Sequence, residues 1–137
     1  MKLKASKYFT INEIIHSDTA DKYNIDNTPV EQEIIDSLNY SVNRLDEIRE
    51  GYGKPIYINS GYRSQALNTK IGGVKNSYHL KGLAFDLRWD PELFKYIQDN
   101  CQFDKLIRER SGSTFWIHLQ FKRDKTKELN KVCYIKS

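Results

Sequence analysis

An amphipathic repeat between Val30 and Ile48 is the feature that most constrains the fold. Thr28-Pro29-Val30-Glu31 has the pattern of a helix start, with a capping threonine and then proline at the first helical position. Gly51 and Gly53 end the pattern. The sequence therefore predicts a long core helix with Arg44, Glu47 and Glu50 on its solvent side. Its apolar residues recur at helical spacing, at Val30, Ile34, Ile35, Leu38, Val42, Leu45 and Ile48.

Shorter patterns place further helices and a sheet around this helix. Thr10 to Glu13 form a capping box, which predicts a short helix to about Ser17, followed by a linker to Asn27. Two more helices are predicted at 65–70 and 91–100, the second opened by Pro91 with Leu93, Phe94 and Ile97 as its apolar side. Strands are predicted at 55–60, 83–87, 103–109, 114–121 and 132–135. Helices in front of a small antiparallel sheet indicate an α+β fold, in one domain over residues 1–137.

Two of the predicted strands carry a polar residue inside an apolar run. Asp86 lies between Phe85 and Leu87, and His118 lies between Ile117 and Leu119. Such a side chain either faces solvent by strand alternation or is buried with a partner. From these positions alone, both interpretations stay open.

His79 supplies a third candidate ligand. It ends a loop in which Gly82 lets the backbone turn without a Cβ penalty. Neutral imidazole is the commonest protein ligand for zinc, and a catalytic zinc needs three protein ligands and an open position. His79, Asp86 and His118 form a plausible set of two nitrogens and one oxygen, whereas His16 is expected to be a solvated side chain.

The sequence segments around these candidate ligands match a known motif. The pattern S-x-H-x-x-G-x-A-x-D occurs at residues 77–86 and is followed by W-x-H at 116–118, after the segment SGYRS at 60–64. In these positions the chain resembles the zinc D-Ala-D-Ala carboxypeptidase and endopeptidase family, over about residues 9–121. The segments I-D-N-T-P at 25–29 and F-D-x-L-I-x-E at 103–109 resemble its short, single-domain phage and prophage branch.

The resemblance implies one zinc ion held by His79, Asp86 and His118, and hydrolysis of peptide bonds in bacterial peptidoglycan. It implies that Arg63 acts on the substrate carbonyl or the developing oxyanion, although a structural salt bridge is the alternative. Ser77 is expected to bind substrate or to orient His79.

The position of the catalytic carboxylate departs from the better-known members. They place a glutamate two or three residues before the last histidine, where this chain has Trp116 and Phe115. Glu109 is the best replacement and Asp104 the second candidate, while Trp116 is expected to wall the substrate cleft. If Arg110 to Ser113 form the hairpin loop, Glu109 pairs with Thr114, ~13 Å along the strand from His118. A bulge or a shifted register is then needed to bring Glu109 closer.

Charge and composition indicate which classes of partner the protein could bind. The net charge of +4 fits a soluble surface, an anionic wall polymer or a nucleic acid equally well. The sequence has no helix-turn-helix, no zinc-finger spacing and no aromatic-and-basic interleaving, so no nucleic-acid partner is expected. No stretch approaches the ~20 apolar residues of a membrane span. The start, MKLKASKYFT, lacks an apolar run, so we expect no signal peptide, synthesis in the cytoplasm and action on the wall after release.

Three further questions stay open. Cys101 and Cys133 are expected to be reduced and half-buried, although a disulfide depends on a distance that the sequence does not contain. The sequence does not show the oligomeric state, and a monomer is taken as the default. The leading hypothesis is a peptidoglycan peptidase in phage lysis, acting on stem peptides or cross-links, and the alternative is a non-catalytic zinc-binding module of the same fold.

Overall fold

The computed structural model describes residues 2–135, which form five helices and a five-stranded sheet. The helices are α1 (Ile11–Ile15), α2 (Asp18–Lys22), α3 (Gln32–Tyr52), α4 (Gln65–Lys70) and α5 (Pro91–Asn100), with a 3-10 turn at Lys125–Lys127. The strands are β1 (Ile58–Ser60), β2 (Ala84–Arg88), β3 (Lys105–Ser111), β4 (Thr114–Gln120) and β5 (Lys131–Tyr134). The α+β prediction is confirmed, except that the predicted linker before Asn27 contains α2.

The long core helix is confirmed, but its predicted start is wrong. The helix begins at Gln32, and Val30 is 85% exposed. The backbone N–H of Thr28 donates to the Asp26 side chain, so the preceding residues form a turn of their own. At the other end Gly53 adopts φ 75°, the left-handed conformation of a helix cap, as the glycine pattern indicates.

The prediction that Arg44 lies on the solvent side of this helix is also wrong. Arg44 is 7% exposed, and its guanidinium pairs with Glu128 and donates to the carbonyl of Gln102. It also lies 4.4 Å from the ring centroid of Phe121. The helical repeat could not reveal this burial, because all of these partners come from the C-terminal part of the chain.

The sheet has the order β1-β2-β4-β3-β5. The first four strands pair antiparallel as predicted, but β5 pairs parallel with β3. One face packs on α3 and α5 and forms the core, and the opposite face carries Asp86 and His118. The strand residues of the core face include Phe85, Leu87, Leu106, Ile117 and Leu119, each fully buried.

The hairpin between β3 and β4 is tighter than predicted. Ser111 pairs with Thr114, which leaves a two-residue turn in which Gly112 has φ +60°. A glycine accepts this conformation without strain, so both strands extend further than the four-residue loop would allow. Glu109 therefore pairs with Trp116, and the predicted pairing with Thr114 is wrong.

Cys101 and Cys133 are both free and half-buried, as expected. Among the described residues, no helix has the length and apolar character needed to span a membrane.

Candidate metal centre

The loop before β2 presents His79 to the sheet. The backbone carbonyl of His79 accepts hydrogen bonds from the N–H groups of Arg63 and Gly82. Gly82 has φ +73°, and a Cβ there would lie 3.0 Å from the carbonyl oxygen of Ile34. Glycine is thus required both by the turn and by the close approach to α3, and this turn directs the histidine onto the polar face of the sheet.

Asp86 and His118 are direct cross-strand partners in the β2–β4 ladder. Asp86 Oδ1 lies 3.2 Å from His79 Nε2 and 3.2 Å from His118 Nδ1. The candidate donor atoms of the three residues all lie within 4.8 Å of one another. The interpretation of two residues on a wet sheet face is wrong, because each of these two side chains is only 12% exposed.

The geometry fits a metal ion held by two imidazole nitrogens and one carboxylate oxygen. His79 Nδ1 lies 2.7 Å from the carbonyl oxygen of Gly61, to which its N–H donates, so Nε2 is the free ligand atom. His118 Nε2 lies 3.0 Å from Gln120 Oε1, to which its N–H donates, so Nδ1 is the free ligand atom of His118. Three protein donors with limited solvent access are the arrangement of a catalytic zinc site with one open position.

Charges and hydrogen bonds within the site shift the pKa values of Asp86 and His118. Burial alone would raise the pKa of Asp86, but the hydrogen bonds and charges of His118 and His79 hold that pKa below its usual value. Burial lowers the pKa of His118, whereas Asp86, Gln120 and Glu109 together raise it above its usual value. The carboxylate is therefore ionised and available as a ligand at neutral pH.

Gln120 contacts a candidate metal ligand and was not predicted from the sequence. Its Oε1 lies 3.0 Å from His118 Nε2, and its Nε2 donates to Asp104 Oδ2 at 2.7 Å. Asp104 is 1% exposed and also accepts from the backbone N–H of Leu129. The available signal was strand alternation, since Gln120 lies two residues after His118 on the same face. Asp104 therefore lies behind the ligand, on the far side of Gln120.

Glu109 lies on the solvent side of the same histidine. Its Oε1 is 3.9 Å from His118 Nδ1, and its side chain is 28% exposed. Burial raises the pKa of Glu109 and the charge of Asp86 raises it further, while His118, His79 and a hydrogen bond from the Trp116 indole offset only part of this. Of the two candidate carboxylates, Glu109 is the one beside the free ligand nitrogen.

Arg63 and Ser77 both contact the ligands. Arg63 Nη2 donates to Asp86 Oδ2 at 3.2 Å, and its other donors reach Ser60 and Asn68. Ser77 is 8% exposed, and its hydroxyl accepts from the backbone N–H of His79. The predicted role of Ser77, to bind substrate or to orient His79, stays a prediction. Trp116 is half-buried beside Glu109 on the same sheet face.

A second group, formed by His16, Asp18 and Asp21, is exposed on the surface. The His16 side chain is 44% exposed, as a solvated residue should be. Exposed acidic groups of this kind are common without an ion, so this group carries no metal assignment.

Comparison with known proteins agrees with this site. The sequence model of the family described as Peptidase M15 matches residues 7–120, which include His79, Asp86 and His118. The chain is also 44% identical over 45 residues to a protein named zinc D-Ala-D-Ala carboxypeptidase from Streptomyces albus G. That alignment covers 32% of this chain and 18% of the relative, so it spans less than a fifth of the relative's length. Because the family match extends over most of the sequence and contains the whole candidate metal centre, the chain belongs to the Peptidase M15 family.

Proposed function

We propose that this protein is a zinc peptidase that hydrolyses a peptide bond in peptidoglycan stem peptides or cross-links. The observation that carries the proposal is the convergence of His79, Asp86 and His118 in one buried site with Glu109 at its edge. The substrate class is supported by the similarity to a D-Ala-D-Ala carboxypeptidase.

The three donors would hold one zinc ion through His79 Nε2, Asp86 Oδ1 and His118 Nδ1. When bound there, zinc lowers the pKa of a water molecule to ~7 and polarises the carbonyl of the scissile bond. The hydrogen bonds to Gly61 and Gln120 keep both imidazole rings in the tautomer that a ligand needs.

Glu109 is the proposed general base and acid. Its carboxylate would take the proton of the attacking water and transfer it to the leaving amine. The neighbouring Trp116 would form one wall of the cleft.

Arg63 is the proposed electrostatic stabiliser. Its guanidinium is held by Ser60, Asn68 and Asp86, and its side chain is 14% exposed. A guanidinium has five N–H donors, so two remain for the substrate carbonyl oxygen, where negative charge develops. A fixed cation of this kind needs no reorganisation during the reaction.

The biological setting that we propose is host-cell lysis by a phage or prophage. It is supported by the resemblance of residues 25–29 and 103–109 to the short phage branch. The protein would then act as a monomer on the cell wall.

The test is mass spectrometry of purified peptidoglycan digested with zinc-loaded protein, beside the Asp86→Ala variant. New fragments that require Asp86 would establish a metallopeptidase, and their masses would identify the bond that is cut. If no fragments form while one zinc ion is bound per chain, the protein is a non-catalytic zinc-binding module.

A further inference from the structure

We propose that Arg88, stacked on Tyr57, binds a carboxylate of the peptide substrate beside the metal centre. This inference rests on the proposed function and makes it more specific, because it assigns a charge preference to one side of the cleft.

Arg88 lies on the same sheet face as the metal ligands. It follows Asp86 by two residues on β2, and residues two apart on a strand share a face. It pairs directly with Trp116, which in turn pairs with Glu109, so the three residues form one row across the sheet. This row adjoins the row that contains Asp86 and His118.

The Arg88 side chain is held in place without an anion. Its guanidinium carbon lies 4.1 Å from the ring centroid of Tyr57, and its backbone N–H donates to the Tyr57 carbonyl. Tyr57 is itself 49% exposed, so the stacked pair lies at the surface. Stacking fixes the plane of a guanidinium and leaves its N–H edge free for a bidentate contact.

Arg63, the other arginine beside the metal centre, pairs with the carboxylate of Asp86. Across residues 2–135, by contrast, no carboxylate lies within ion-pair distance of Arg88. An exposed arginine that is ordered by an aromatic ring and lacks an acid is well suited to bind a carboxylate from a ligand.

The strand order gives the cleft two electrostatically different sides. Glu109 lies on β3, beyond β4, whereas Arg88 lies on β2 and leans toward the β1 side, where Tyr57 lies. Arg63 reaches Asp86 from this same side, since it also contacts Ser60 of β1. A bound peptide would therefore have its proton-transfer end near Glu109 and its anionic group near Arg88.

Chain geometry limits where that carboxylate lies in the substrate. Arg88 and Asp86 are two strand residues apart, ~7 Å, and an extended peptide advances ~3.4 Å per residue. The carboxylate should thus lie within about two residues of the scissile bond. In a stem peptide it is the α-carboxyl group of D-glutamate, the free carboxyl group of the diamino acid or the C-terminal carboxylate.

The test compares synthetic stem peptides in which each of these carboxyl groups is either free or a primary amide. For the contacted group, we expect the wild-type protein to have a kcat/KM roughly five- to tenfold higher for the free acid, the size of an exposed but bidentate ion pair. The Arg88→Gln variant should bring this ratio close to one. The group whose amidation changes the ratio is the one that Arg88 binds.

Arg49→Gln is the matched control. Arg49 also stacks on a tyrosine, 4.5 Å from the Tyr8 ring centroid, but it lies on α3, which packs on the core face of the sheet. This variant should keep the wild-type preference. Equal rates for all peptides with the wild-type protein, or an unchanged preference in Arg88→Gln, would overturn the inference.

Failure of the proposed function gives a different result. If the zinc-loaded wild-type protein cleaves none of the peptides, binding of the same peptides is measured by isothermal titration calorimetry. Tighter binding of a free acid than of its amide, lost in Arg88→Gln, would still support the carboxylate site. Equal binding of acids and amides would refute it.

Discussion

Glu109 lies directly opposite Trp116 in the β3–β4 ladder, two positions along β4 from His118. The pairing follows from the two-residue turn at Gly112, which moves Glu109 two positions closer to His118 than a four-residue loop would. No bulge is needed to bring the carboxylate to the metal centre.

The Glu109→Gln variant should lose activity on peptidoglycan by about 10²- to 10⁴-fold, the usual contribution of a general base. Its zinc affinity should stay close to that of the wild-type protein, because Glu109 is not one of the three proposed ligands. Reaction rates and zinc content per chain are the two measurements. Glu47→Gln, an exposed change on α3, is the control. Full activity in Glu109→Gln would remove Glu109 from the mechanism.

Zinc should stabilise the folded protein through the three donors. At a free zinc concentration of 100 Kd, the expected gain in unfolding free energy is ~2.7 kcal/mol. Thermal unfolding with and without a chelator measures this gain. The Asp86→Asn variant should lose it, because an amide is a poor substitute for the ionised ligand. An equal chelator effect in the variant and the wild-type protein would place the metal elsewhere.

The Gln120→Leu variant should bind zinc ~10- to 100-fold more weakly, as expected when the group that orients a ligand histidine is removed. Leucine has a similar size but cannot accept the hydrogen bond from His118 or donate one to Asp104. Competition with a chromogenic chelator gives the affinity. The exposed Gln65→Leu change serves as the control, since Gln65 lies on α4 and its side chain donates to Thr69. Unchanged affinity in Gln120→Leu would show that the orienting contact is dispensable.

The Arg44→Met variant should lower the free energy of unfolding by about 3–5 kcal/mol, because it leaves the fully buried Glu128 carboxylate without its cation. Replacing both partners, as Arg44→Met with Glu128→Leu, should recover much of this loss. Urea unfolding measures both changes. Zinc binding should be unaffected, and a double variant no more stable than the single one would argue against the ion pair as the cause.

The parts of the fold that were predictable have local signals. The capping box at Thr10 and the proline at the start of α5 are encoded within a few residues, and both are confirmed. The helical spacing of Leu93, Phe94 and Ile97 likewise identified three buried residues. The metal donors were predicted because the motifs at residues 77–86 and 116–118 resemble those of a zinc peptidase family, whereas the polar residues within apolar strands left their burial open.

The parts that were missed depend on contacts between distant segments. Arg44 is buried by Glu128, which lies 84 residues later in the chain. Gln120 acts on His118 only because Asp104 of the segment before β3 holds its amide group. The parallel pairing of β5 has no local signature at all, since a strand sequence does not specify its direction relative to a neighbour.

The position of β4 has a consequence for how the protein is made. β4 lies between β2 and β3 in the sheet, but it follows both of them in the chain. A ribosome therefore releases His79 and Asp86 well before the strand that carries His118. Until that strand inserts, the nascent chain has no complete set of metal donors. Metal binding therefore reports that β4 has taken its place between β2 and β3.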